Sequence, residues 1–118
     1  MNPQEIIEQA AANWHSAAEE VGQKIVDLGA DAIRRLVEDA TTDGQAQLKS
    51  SQKKLVEWTA ALAEGTINRE EYTHLIKSRV SLLKFHTLTE AGIAQARIEL
   101  FRKALINLIT NTAIKAIT

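Results

Sequence analysis

The chain has 118 residues, 45% of them apolar, with 14 basic and 15 acidic side chains, one proline and no cysteine. That is the length of one domain with an ordinary globular composition, and the missing cysteine excludes a disulfide scaffold, a thiolate zinc site and a cysteine nucleophile. The net charge of −1 argues against broad nucleic-acid binding, which needs a cationic surface.

The first predicted helix runs over about 3–40. Asn2 is a good N-cap, Pro3 suits the first helical position, and Glu5 stands where a capping box needs an acid. Ile7, Ala11, Trp14, Ala18, Val21, Ile25, Leu28 and Ala32 alternate spacings of four and three, which describes a coiled-coil-like seam. One row of the seam is large and the other mostly small. Gly22 and Gly29 lie beside it, where each costs a helix about 1 kcal/mol relative to alanine. Close approach of a partner helix would explain them, with Trp14 as an anchor.

Thr41, Thr42, Asp43 and Gly44 read as the first break. A second helix follows over about 45–64, burying Leu48, Ser51, Leu55, Trp58 and Leu62, with Gly65 as its C-cap. The third start signal is the strongest: Asn68 caps, Glu71 completes a capping box, and Ile67 and Tyr72 form a hydrophobic staple. From there an apolar stripe continues to the end. The expectation is one helix over 69–117, with a kink or turn near 87–92, beside Gly92, as the alternative. No strand pattern competes. The fold class is all-α: an elongated three-helix, alternatively four-helix, bundle with coiled-coil-like seams and a long C-terminal helix.

The stretch from Ala104 to Ile117 is apolar around most of its circumference, so it must be surrounded. Burial against symmetry mates is the favoured reading. Burial inside a compact four-helix monomer and contact with a membrane are the rivals. The longest apolar-rich run without a charge, ALINLITNTAI, is far short of the roughly 20 residues of a membrane-spanning helix. The first twenty residues lack the pattern of a secretory signal, so the chain is expected in the cytoplasm, or exported without a cleaved signal peptide. The charge balance conceals a split. Residues 1–64 carry eleven acids and six bases, and residues 65–118 carry four acids and eight bases. Such halves suit helices that meet within one molecule or between subunits.

The chemistry-bearing residues are few. Glu71 and His74 form a Glu-x-x-His motif on one helical face, which resembles half of a ferritin-like di-iron site. The motif occurs once where a one-chain site needs two, so a metal-binding oxidase would have to be built at a dimer interface, with Glu19 or Glu20 as further carboxylates. The plainer reading is a helix cap beside a surface histidine. His15 and Ser16 are adjacent and point apart on a helix, and no hydrolase constellation or phosphate loop stands out. The expectation is therefore a structural, non-enzymatic, homo-oligomeric or partner-docking helical protein with no cofactor. Its interface would use Trp14, Val21, Ile25 and Leu28 on the first seam, and Phe101, Leu105, Leu108, Ile109 and Ile117 on the last helix.

Overall fold

A computed structural model describes residues 1–117. The described chain is all-helical: α1 is Pro3–Gln23, α2 Ala30–Glu64, α3 Arg69–Ser81, α4 the five-residue His86–Glu90, and α5 Gln95–Ile117. The radius of gyration is 14.4 Å and the extents are 46 × 22 × 21 Å, close to the roughly 13.5 Å radius of a globular chain this long.

Side-chain bonds fix how the helices run. Gln45 Nε2 donates to the Ala11 carbonyl (2.8 Å) and Trp14 Nε1 to the Ala40 carbonyl (3.1 Å), so α2 descends antiparallel to α1. The Thr59 hydroxyl meets the Tyr72 hydroxyl (2.9 Å) and Arg79 Nε donates to Ser51 Oγ (3.1 Å), so α3 climbs back along α2. α5 packs on both α1 and α3, and α4 sits on α2. Ile6, Ile7, Ala10, Trp14 and Ala18 from α1 meet Leu36, Val37, Ala40, Leu48 and Leu55 from α2. Tyr72, Ile76 and Val80 from α3, Leu88 from α4, and Ile98, Phe101, Leu105, Ile109 and Ala113 from α5 complete one core.

The capping signals at Asn2 and Asn68 are both formed as full capping boxes. Gly65 ends α2 in the left-handed region, with the Thr66 N–H reaching back to the Ala61 carbonyl.

Three element boundaries differ from the sequence expectation. First, no helix runs over 3–40: the chain turns at residues 24–29 and Gly29 becomes the N-cap of α2. A continuous helix would have left the apolar face at Leu36 and Val37 uncovered, whereas the reversal lays it on α1. Gly22 permits this, because a Cβ there would stand 2.6 Å from Val37 Cγ2.

Second, Thr41–Gly44 does not break anything: it lies inside α2. The Thr41 and Thr42 hydroxyls donate to the Val37 and Glu38 carbonyls (2.7 and 3.1 Å), so their polar groups are satisfied within the helix.

Third, the 69–117 helix is interrupted twice, at 82–85 and at 91–94. At the second, Gly92 adopts φ 76° and the Ile93 N–H bonds the Leu88 carbonyl (3.1 Å), the six-to-one closure of a Schellman turn. The turns fold α5 back onto α1 and α3. The apolar surplus of 104–117 is thereby covered within the chain: Leu105, Ile109 and Ala113 are buried, and Ile106, Leu108, Ile114 and Ile117 pack at the margin of the core.

Candidate functional site

The residues expected at an interface are placed mostly inside. Trp14, Phe101, Leu105 and Ile109 are fully buried, and Ile25 closes the α1–α2 end of the core. Val21, Leu28, Leu108 and Ile117 are half-buried against it. Trp58 is half-buried as well. In this fold the heptad positions are spent on intramolecular packing.

The motif Glu71–His74 is also accounted for locally. Glu71 Oε1 accepts from the Asn68 N–H (3.0 Å) and its own N–H donates to Asn68 Oδ1 (2.8 Å), while His74 is exposed. Among the described residues no group of three histidines or carboxylates converges as metal ligands would.

Sequence reasoning missed three polar side chains that organise the connection between α3 and α4. Asp43, buried in α2, accepts from the Thr87 N–H on Oδ1 (2.8 Å) and from the Leu88 N–H on Oδ2 (2.9 Å). A carboxylate from another helix thus caps the start of α4. Arg102, buried on α5, donates through Nη1 to the Val80 and Leu83 carbonyls (both 2.6 Å) and through Nε to Glu99 (3.0 Å). Its guanidinium lies 5.1 Å from the centre of the Phe85 ring, a cation–π arrangement. Gln47 Nε2 donates to the Lys84 carbonyl. These three side chains hold the α3–α4 turn, and no local signal marks any of them.

A cleft of about 490 Å³ opens where α1 ends and α2 begins. Its floor is Gly22, Ala30, Ile33 and Val37, and its rim is His15, Glu19, Arg34 and Glu38. His15 Nδ1 hydrogen-bonds Thr41 Oγ1 (3.0 Å) and Nε2 faces Glu19 (3.0 Å). Arg34 is drawn to Asp31 (3.2 Å). Further along α2, on another side of the helix, burial and then the carboxylates of Asp43 and Glu38 raise the Asp39 carboxyl above its ordinary value of 3.8. The surface also carries Val26 at 93% exposure, in the turn next to the cleft, and Leu82 at 82%, on the α3–α4 turn. Comparison of the chain with protein-family models, with curated proteins and with solved structures finds no match. No described helix is long and apolar enough to cross a membrane.

Proposed function

We propose that this chain is a structural interaction protein, with no catalytic role, that associates with further copies of itself. The four longer helices are read as an up-down-up-down bundle, with α4 folded into the connection between the third and the fourth. The heptad seams then build the subunit, and association runs over its outer surface.

One observation carries this reading. The acidic and basic halves do not neutralise each other across the fold. Of the six side-chain ion pairs among the described residues, only Asp27–Arg97 joins residues 1–64 to residues 65–118. The other five link neighbours three or four positions apart. Exposed carboxylates such as Glu8, Glu19, Glu20 and Glu38 therefore face out from α1 and α2, and exposed lysines 77, 84, 103 and 115 face out from α3, the following turn and α5. Surfaces of opposite sign on one molecule attract the complementary surfaces of the next.

Light scattering coupled to size exclusion, over a range of concentration and salt, tests the reading. The mass is expected to rise above 13.0 kDa with concentration at low salt and to fall back as salt screens the charges. A monomer at every concentration in low salt would overturn it.

A further inference from the structure

We infer that the contact between copies is head-to-tail: Leu82 of one copy seats in the α1–α2 cleft of the next. This rests on the self-association reading and gives it a site.

The knob is built to project. Leu82 is the C-cap of α3 and is 82% exposed, although a leucine gains by burial. The turn that carries it is held rigidly. Arg102 takes the carbonyls of Val80 and Leu83 on either side of it, and Gln47 takes that of Lys84. The exposed Lys84 follows two residues on, so the apolar tip has a cation near it in the chain, while Arg79 is turned to Ser51 of α2.

The cleft has the opposite character. Its floor is apolar, and the turn that joins its two helices carries the exposed Val26. Two exposed carboxylates, Glu19 and Glu38, stand on the rim; Glu19 lies against His15 (3.0 Å), and Arg34 is turned toward Asp31. An apolar tip with a lysine near it fits an apolar floor whose rim carries two carboxylates, in both hydrophobicity and charge.

One copy does not satisfy both features by itself. Asp43 and Gln47, which hold the α3–α4 turn, project from a different side of α2 than Ala30, Ile33, Arg34 and Val37, given 100° per residue around the helix. Leu82 therefore lies away from its own cleft. Each copy offers one knob and one cleft, so the contact is heterologous and repeats along a chain or closes into a ring.

The test uses the full chain and two surface variants, Leu82→Glu and the double variant Glu19→Lys with Glu38→Lys. All three positions are exposed, so circular dichroism and melting should match the parent. Sedimentation velocity at low salt should show each variant alone self-associating about ten- to hundredfold more weakly than the parent, the range set by burying one leucine side chain. Mixing Leu82→Glu with the parent should cap growing assemblies, because that variant keeps its cleft and lacks its knob. If the parent assembles and Leu82→Glu assembles equally well, the head-to-tail contact is wrong and self-association stands. A parent that stays monomeric throughout overturns both.

Discussion

The indole of Trp14 occupies the space that a side chain at position 44 would need. A Cβ on Gly44 would stand 1.9 Å from Trp14 Nε1, and that nitrogen donates to the Ala40 carbonyl one turn earlier on the same helix. The glycine in the middle of α2 is thus a seat for the largest side chain of the core. Gly44→Ala should gain about 1 kcal/mol of helix propensity and lose more through the displaced ring, for a net destabilisation of about 2 kcal/mol in urea unfolding. In a Trp14→Phe background the same change should cost less, with a coupling of at least about 1 kcal/mol. Additive effects would show that the two residues are not in contact.

Asp43 supplies the cap that α4 cannot make for itself, since its own N-cap, Phe85, has no side-chain hydrogen bond to offer. Asp43→Asn retains one acceptor and turns an amide NH₂ toward a backbone N–H. A loss of about 2 kcal/mol is expected. Hydrogen exchange should localise it: the amides of Thr87 and Leu88 should lose protection more than those of α1. Unchanged protection there would remove the capping role.

Arg102 terminates α3 from across the core. Arg102→Lys keeps the charge but gives up the planar fork that spans Val80, Leu83 and Glu99 over the Phe85 ring. We expect the thermal midpoint to fall by several degrees, corresponding to about 2 kcal/mol. Arg102→Met, which leaves the two carbonyls without that donor, should be worse than Arg102→Lys. The reverse order would mean that Arg102 acts by packing alone.

Tyr72 is fully buried, and burial pushes its phenol above the ordinary value of 10.0. The sign follows from which state releases the proton first. Above pH 10 the unfolded chain ionises while the native chain holds its proton, so the native state binds more protons and stability falls as pH rises. Tyr72→Phe should flatten that alkaline loss. At neutral pH it should cost about 1 kcal/mol for the bond to Thr59, whose own hydroxyl remains bonded to the Leu55 carbonyl (2.7 Å). An unchanged alkaline limb in the variant would assign the loss to another group.

The cleft was partly legible. Gly22 on the first seam pointed to close approach of another helix, and that helix is α2 of the same chain. Glu19 stood in the sequence analysis only as a candidate metal ligand, and nothing there joined it to Arg34. Their meeting around an apolar floor depends on the turn at 24–29, which brings residues fifteen and more positions apart side by side. Nothing in the sequence singled out Leu82. Its exposure follows from the end of α3, and that end is set by Arg102, twenty residues further on.

By itself the sequence determined that the chain is helical, where the capping boxes at Asn2 and Asn68 begin helices, and that Gly65 ends one. Each of these depends on interactions within one or two turns, and such interactions are written in neighbouring residues. Only the tertiary structure decided that Thr41–Gly44 stays helical and that the stripe over 69–117 breaks twice. There the competing local preferences differ by about 1 kcal/mol. Contacts made between residues such as Asp43 and Leu88, 45 positions apart, outweigh them.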